Sequence, residues 1–412
     1  MLHSTANQAD FVIAGNINLD IIPTLTGLTD CADDLASAFI PGRLIEIGPS
    51  ITTTGGCVSN TGLALSRLGF STHLVGKIAE DHFGQILRNL IEDQASPSTV
   101  IDLIVSPSGS SSYTIVMSAP GYDRFFLHSP GVNANFSEHD IPYEALPHTK
   151  LFHFGYPPVM QPMYANEGAE LQSIFRRVKL AGAITSLDMA RPDPQSTAGK
   201  ANWRTILTGL LPYVDIFLPS FEEILYMLRR NHYDELEQRF GRAHVDKGIN
   251  ADLLHDLTDE LLQMGCLVAG IKLGDKGFYL RTSDQRGKWD LTASNLNVNP
   301  IDWTGRELLA PCYQVDIAGT TGSGDCTIAG FLAGLFKGQS PEQAVTSAVA
   351  VGAYCVEHTD ATSGIPSWET VQDRISKPWK RLTANYFETT GWYWESAHSV
   401  WLSALDNGRR NK

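Results

Sequence analysis

The sequence has few cysteines, no excess of positive charge and no long apolar run. Its six cysteines are scattered through 412 residues without Cys-x-x-Cys or metal-finger spacing, which fits reduced thiols in a cytoplasmic protein. No apolar run approaches the roughly 20 residues that a membrane-spanning helix requires, and the start lacks the pattern of a secretory signal. The net charge of −14 offers no basic face to a nucleic-acid backbone. We therefore expect a cytoplasmic protein without a membrane span or a nucleic-acid partner.

A glycine-rich turn runs directly into an apolar helix over residues 319–335, which read GTTGSGDCTIAGFLAGL. Ile328, Phe331, Leu332 and Leu335 recur at i, i+3, i+4 and i+7, the spacing of a helix with one buried face. The first amides of a helix have no intrahelical partners, and the helix dipole is positive at that end. The segment therefore predicts an anion site, suited to the charge of a transferring phosphoryl group.

Asp325 is the single charged residue of this turn. A carboxylate is a poor anion binder, but it is a suitable proton acceptor from an attacking hydroxyl group. The alternative is a tight strand-to-helix turn in which Asp325 is the N-terminal cap. The residues by themselves leave both interpretations open.

Polar residues also interrupt two segments near the start of the chain. Asn18 and Asp20 alternate with apolar neighbours, so both lie on one face of an extended segment. They predict either a binding pair or a surface-facing polar pair on an edge strand. Further on, Ser59 or Asn60 is predicted to cap a helix that stops at Gly69.

From residue 151 onward, strand and helix patterns alternate along the chain, which argues for parallel β-α units in a layered sheet with helices on both faces. Ligands of such sheets bind at the carboxyl ends of the strands. Earlier in the chain, two extended runs, 112–117 and 124–128, flank Ala119-Pro120-Gly121, which predicts a hairpin.

Residues 320–332, TTGSGDCTIAGFL, resemble the C-terminal signature of the ribokinase-like (PfkB) carbohydrate kinases. The resemblance implies a three-layer α/β/α fold with a mainly parallel central sheet and a small β-sheet lid. It implies that Asp325 is the catalytic base and that Gly322, Ser323 and Gly324 form the anion hole. Gly319 stands where the family usually has a polar residue, often an aspartate that helps to hold a monovalent cation, which leaves potassium activation open.

Two N-terminal segments are similar to parts of the same family that contact the sugar. GNINLD resembles the first-strand segment, and the glycine pair in TTTGGCVSN resembles a segment whose glycines and asparagine contact substrate. The substrate-binding residues implied in this way are Asn18, Asp20, Gly55, Gly56 and Asn60. A carboxylate that accepts two hydroxyl hydrogen bonds is a common means of fixing a polyol.

The nucleotide motifs of the family are present with substitutions. Ser220 replaces the asparagine of an Asn-x-x-Glu motif, and Glu223 is implied to order Mg²⁺ through water; its alternative role is to complement a helix dipole. Lys272, Gly274 and Gly277 resemble the loop that lines ATP, where Lys272 replaces a threonine. Its ammonium group either favours the polyphosphate or points outward.

The resemblance covers residues 11–375 and implies transfer of the γ-phosphoryl group of ATP to a primary hydroxyl of a sugar or nucleoside. It makes 1–375 a kinase domain whose lid comes from about 18–52 and 110–130, with a homodimer formed through that lid. Residues 376–412 are an aromatic-rich extension expected to dock on its own subunit or on a partner. One alternative is a non-catalytic sugar- or nucleotide-binding regulatory or scaffold protein of the same fold. A nicotinamide-dependent oxidoreductase is disfavoured, because no G-x-G-x-x-G follows the first strand.

Overall fold

The structure is a computed structural model that describes residues 9–25, 41–42, 44–117, 125–384 and 391–406. The predicted turn at 119–121 lies outside the described residues. In the part of the chain that is described, no helix combines the length and the apolar character needed to cross a bilayer.

The strands form one large sheet and one small sheet. In chain order they are β1 (Phe11–Gly15), β2 (Asn18–Pro23), β3 (Ser50–Gly55), β4 (Thr72–Ala79), β5 (Val100–Ser106), β6 (Tyr113–Met117), β7 (Phe125–Ser129), β8 (Leu151–Gly155), β9 (Ile184–Leu187), β10 (Ile216–Phe217), β11 (Val268–Lys272), β12 (Phe278–Thr282), β13 (Glu307–Ala310), β14 (Trp392–Glu395) and β15 (Val400–Ser403).

The α-helices lie mostly between strands of the large sheet. They are α1 (Cys57–Arg67), α2 (His82–Gln94), α3 (Gln161–Tyr164), α4 (Ala169–Leu180), α5 (Thr197–Lys200), α6 (Trp203–Leu210), α7 (Phe221–Leu228), α8 (Arg230–Phe240), α9 (Ala251–Met264), α10 (Arg286–Leu296), α11 (Pro300–Trp303), α12 (Ser323–Phe336), α13 (Pro341–Val356) and α14 (Trp368–Ile375).

The large sheet has 11 strands in the order β14-β15-β13-β12-β11-β10-β9-β8-β1-β4-β5. The seven strands from β5 to β11 are parallel, and the remaining four pair antiparallel. The parallel part places the carboxyl ends of β1, β8, β9, β10 and β11 at one edge. The predicted mainly parallel sheet is confirmed.

Two apolar cores flank this sheet, because side chains of a strand alternate between its faces. Phe11 and Ile13 point into one core with helices α1, α12 and α13, whereas Val12 and Ala14 point into the other with α4, α6 and α9. The result is the three-layer α/β/α arrangement that the sequence predicts.

The small sheet has the order β3-β2-β6-β7 and contains the predicted hairpin as the antiparallel pair β6 and β7. Strand β3 then continues into α1 through Gly56. This glycine is the N-cap residue of the helix and has a φ of 85°. The prediction that Ser59 or Asn60 caps the helix is therefore wrong. Both residues lie inside α1, because the strand meets the helix without an intervening polar turn.

The described part of the C-terminal extension packs on its own chain. Strand β15 pairs with β13, and Trp392 and Trp401 pack against the second core. Beyond β15, the fully buried Asp406 accepts hydrogen bonds from Arg306 Nε at 3.0 Å and from the Glu307 amide at 2.7 Å. The extension thus completes the edge of the large sheet.

Replacing Asp406 with alanine should lower the free energy of unfolding by about 3 kcal/mol, because it leaves the buried Arg306 guanidinium short of a counter-charge. Urea denaturation measures this loss. Asp373→Ala, which removes an exposed carboxylate paired with Lys377, is the control and should cost less than about 1 kcal/mol. Equal losses in the two variants would contradict the buried pair as an anchor of the extension.

Candidate active site

Helix α12 begins at the predicted glycine turn. Gly322 is its cap residue with a left-handed φ of 73°, and no side chain of the described residues caps this end. A Cβ atom at Gly322 would lie 2.3 Å from the Ala361 Cβ, so both the conformation and the space require glycine. The Ser323 amide contacts the Thr320 carbonyl at 3.3 Å. The amides that follow, at the start of the helix, have no intrahelical acceptor.

Asp325 lies in the first turn of α12 and is only 3% exposed. Its Oδ2 accepts a hydrogen bond from Asn60 Nδ2 at 2.8 Å, and Tyr156 Oη donates to both carboxylate oxygens at 2.9 Å. Burial raises the pKa of Asp325, and this effect outweighs Lys272 and the hydrogen bonds from Asn60 and Tyr156, which lower it. The carboxylate therefore faces other elements and does not cap its own helix.

Lys272 ends strand β11 and points toward the same turn. Its Nζ contacts Asp188 Oδ1 at 2.5 Å, and a Cβ atom at Gly324 would lie 3.8 Å from that Nζ. Burial lowers the pKa of Lys272, but the carboxylates of Asp188 and Glu223 raise it by more. The net shift is therefore upward, and the ammonium stays charged. Of the two orientations that the sequence left open, the structure has the inward one.

A chain of hydrogen bonds links the residue after β1 to strands β2 and β6 of the small sheet. Asn18 Nδ2 donates to Asp20 Oδ1 at 2.5 Å and to Thr114 Oγ1 at 3.1 Å, and Asn16 Nδ2 donates to Asn18 Oδ1 at 3.1 Å. Asn18 and Asp20 are 4% and 5% exposed, so the interpretation as a surface-facing pair is wrong. They lie on one face, as predicted.

Gly55 and Gly56 allow the small sheet to approach this polar chain. A Cβ atom at Gly55 would lie 2.5 Å from the Asp20 carboxylate, and one at Gly56 would lie 2.6 Å from the Asn16 carbonyl oxygen. Glycine is therefore needed at both positions. A larger residue at Gly55 would displace the Asp20 carboxylate, and one at Gly56 would displace the backbone of Asn16.

Several buried oxygens around the site have no hydrogen-bond partner among the described residues. They are Thr54 Oγ1, Asn60 Oδ1, Asn133 Oδ1 and Asp188 Oδ2. A buried polar atom without a partner is costly and calls for a ligand or water to satisfy it. Asn60 is the most informative case, because one end of its amide binds Asp325 while the other end is free to accept from a hydroxyl group.

The predicted nucleotide residues follow the carboxyl ends of β10 and β11. Ser220 and Glu223 form a capping box on α7, in which Glu223 Oε2 accepts from the Ser220 amide at 2.7 Å. This is the helix-end role that the sequence offered as the alternative for Glu223. Gly274 and Gly277 have left-handed φ values of 60° and 114°, and both lie in the turn between β11 and β12.

Within the described ranges, no group of three or more histidine, cysteine, aspartate or glutamate side chains could hold a metal ion. One oxygen of Glu223 is already bound to the Ser220 amide, and Asp188 Oδ2 is unpartnered. These residues do not form a direct chelating set. They fit a metal ion that arrives with a phosphate ligand and keeps its water.

Sequence reasoning missed Asn16, Thr114, Asn133 and Tyr156, and it gave Asp188 no role. Asp188 follows the end of β9, and its position at the end of a parallel strand was a usable signal. Tyr156 follows β8 in the same way, but a single aromatic residue before two prolines has no recognisable local pattern. Its contact with Asp325 spans 169 positions of the chain.

The layered sheet, the small sheet beside its carboxyl edge and the buried acid at the start of α12 define a ribokinase-like carbohydrate kinase. The pfkB family carbohydrate kinase model matches residues 40–368, and the chain belongs to this family. This membership excludes the nicotinamide-dependent oxidoreductase alternative.

Comparison with individual proteins agrees with the family. The chain is 24% identical to "Probable fructokinase-6, chloroplastic" of Arabidopsis thaliana over 382 residues, which cover 91% of this chain and 84% of that protein. The structure of fructokinase with bound ATP from Xylella fastidiosa matches with a TM-score of 0.62 and 17% identity, covering 89% of this chain and 98% of that one. Arabidopsis thaliana ribokinase complexed with ribose and ATP matches with a TM-score of 0.61 and 18% identity, covering 89% and 98%.

Replacing Lys272 with methionine should lower the free energy of unfolding by about 3 kcal/mol at pH 8. Burial raises the pKa of Asp188 to about 8 even beside Lys272, so without the ammonium group the buried carboxyl has to take up a proton that the unfolded chain does not bind at this pH. Adding Asp188→Asn should restore most of the loss, since no buried carboxyl is then left without a counter-ion. Urea denaturation of the single and double variants measures both effects. Lys150→Met, which removes an exposed ion pair with Asp10, is the matched control and should cost less than about 1 kcal/mol. A double variant no more stable than Lys272→Met would contradict the pairing.

Proposed function

We propose that this carbohydrate kinase transfers the γ-phosphoryl group of ATP to a primary hydroxyl group of a sugar, with Asp325 as the general base. The observation that carries the proposal is the position of Asp325. It is a buried carboxylate in the first turn of a helix whose amide end is open, and it is hydrogen-bonded to an asparagine with a free acceptor. A proton acceptor and an anion site thus lie within one helical turn.

The acceptor sugar would bind between the small sheet and α1. Asp20 and Asn18 would offer hydrogen-bonding groups to adjacent hydroxyls, Asn60 Oδ1 would accept from a third, and Gly55 and Gly56 let the backbone pass close to Asp20 and Asn16 beside them. This set orients the reacting hydroxyl toward Asp325, which takes up its proton as the oxygen attacks the γ-phosphorus. The small sheet would act as a lid that excludes water from the reaction.

The phosphoryl group would lie against the start of α12. The backbone amides of Gly322, Ser323 and Gly324 would donate to its oxygens, and Lys272 would add a fixed positive charge beside them. For the Ser323 amide this requires exchange of its present contact with Thr320. The turn with Gly274 and Gly277 and the nearby Ser220 would line the nucleotide.

Mg²⁺, held through water by Glu223, would neutralise the polyphosphate when bound. Gly319 offers no side-chain ligand for a monovalent cation. A Cβ atom at this position would lie 2.9 Å from the His358 carbonyl oxygen, so the backbone leaves little room for an acid there. We therefore assign the positive charge near the turn to Lys272.

The names of the compared proteins favour a sugar over a nucleoside as acceptor, because they include a probable fructokinase and a ribokinase with bound ribose. A panel of ketohexoses, pentoses and nucleosides tests this choice by ADP release with MgATP. At least one sugar should give turnover that depends on both substrates. Thermal shifts with sugars but no ADP release from any of them would instead support the non-catalytic regulatory alternative.

Replacing Asp325 with asparagine should cut kcat by about 10²–10⁴-fold, the usual worth of a general base, while the thermal unfolding temperature stays close to that of the wild type. The ADP-release assay measures kcat. Asp316→Asn changes an exposed acid of the same connecting segment and should leave kcat within about twofold. Near wild-type turnover of Asp325→Asn would remove Asp325 from the role of base.

We also propose that residues 1–375 form a kinase domain and 376–412 an extension, and that two copies of the chain form a homodimer through the lid. Ile51, Phe126 and Leu127 of the small sheet are exposed, which supports such a contact. A monomeric mass in light scattering would contradict the dimer.

A further inference from the structure

We propose that Tyr156 is a positioning residue for the transfer reaction, whose hydroxyl group orients the Asp325 carboxylate toward the acceptor. The inference rests on the proposed function and deepens it, because it gives a role in positioning the general base to a residue that belongs to none of the sequence motifs.

The hydrogen bonds show how Tyr156 acts on the carboxylate. Tyr156 Oη lies 2.9 Å from each oxygen of Asp325, so one hydroxyl bridges both, and Asn60 Nδ2 adds a second donor to Oδ2. Two donors from different elements fix the plane of the carboxylate. Since a carboxylate has about four lone-pair positions, it still has room to accept from a substrate hydroxyl.

The backbone of Tyr156 is held in a conformation that its sequence disfavours. Its φ of 65° and ψ of 44° are left-handed, which is unusual for a bulky residue, and Pro157 further disfavours helical backbone in the residue before it. Two hydrogen bonds hold it there: its amide donates to the Asp188 carbonyl at 3.3 Å, and its carbonyl accepts from the Val159 amide at 3.1 Å. Such strain persists where the surrounding structure imposes it, and it is concentrated at functional sites.

The left-handed backbone of Tyr156 determines the direction in which its side chain points. Gly155 ends β8 with no space for a side chain, since a Cβ atom there would lie 2.3 Å from Cys57 Sγ. The chain turns directly after this contact. The turn carries the Tyr156 ring from the end of β8 toward the start of α12, where Asp325 lies.

The charges around Asp325 make the donor role of Tyr156 consistent. The titratable groups that face Asp325 from other elements are Lys272 of β11, Asp188 after β9, Glu223 of α7, Cys57 of α1 and Tyr156 itself. Burial and the neighbouring carboxylates raise the pKa of the Tyr156 hydroxyl, so it stays protonated and can only donate to an ionised Asp325.

Tyr156→Phe removes the donor and little else. We expect kcat to fall about tenfold on the pH plateau, because the carboxylate is no longer held in one orientation, with the KM values of sugar and ATP within about twofold. The acid limb of the kcat–pH profile should move to higher pH. Loss of a donor to the ionised form raises the pKa of Asp325, so the base becomes protonated at a higher pH than in the wild type.

Tyr279→Phe is the matched control, because Tyr279 Oη also donates to a buried carboxylate, Glu307 Oε1 at 2.7 Å, outside the site. It should leave the position of the acid limb unchanged. A graded series with fluorinated tyrosines at position 156, whose phenols are stronger donors, should move the acid limb progressively to lower pH. This series tests the proposal even if Tyr156→Phe fails to fold.

The outcomes separate the two proposals. A wild-type protein without turnover on any sugar of the panel would defeat the proposed function. An active wild type whose acid limb is the same in Tyr156→Phe, or in the fluorinated series, would leave the proposed function standing and overturn the role of Tyr156.

Discussion

The burial of the Asp325 carboxylate is the constraint on which the rest of the site depends. A carboxylate that is almost fully removed from water is costly unless donors and a counter-charge surround it. Asn60, Tyr156 and Lys272 supply them from α1, the end of β8 and the end of β11. The three-layer fold therefore has to bring these elements to one point, and the parallel strands do so at their common carboxyl edge.

The same edge of the sheet also holds a buried pair of opposite charges. Lys272 is paired with Asp188, and both lie beside the open amides of α12. In the proposed reaction, a fixed ammonium in a site of low dielectric would act more strongly on a phosphoryl group than it would in water. Glycines at the junction of β3 and α1 let the backbone pass close to Asp20 and Asn16.

Sequence patterns predicted the parts of this site that are local. Alternation predicted the shared face of Asn18 and Asp20, and the glycine turn with its apolar helix predicted the start of α12. The prediction that Ser59 or Asn60 caps the helix failed because it was based on polar residues near the start of the apolar pattern. The helix in fact begins earlier, where β3 enters α1 through a glycine. Tyr156 escaped detection because its backbone conformation runs against its local sequence.

By itself, the sequence determined the layered α/β class, the order of its motifs and the glycine turn before Asp325, because periodicity and glycine placement act over a few residues. Only the tertiary structure decided which polar groups face one another. Asn60 and Asp325 are 265 positions apart, and the direction in which Lys272 points depends on the distant Asp188. Burial and hydrogen bonding across such separations arise from the packing of whole elements, so no short stretch of the chain encodes them.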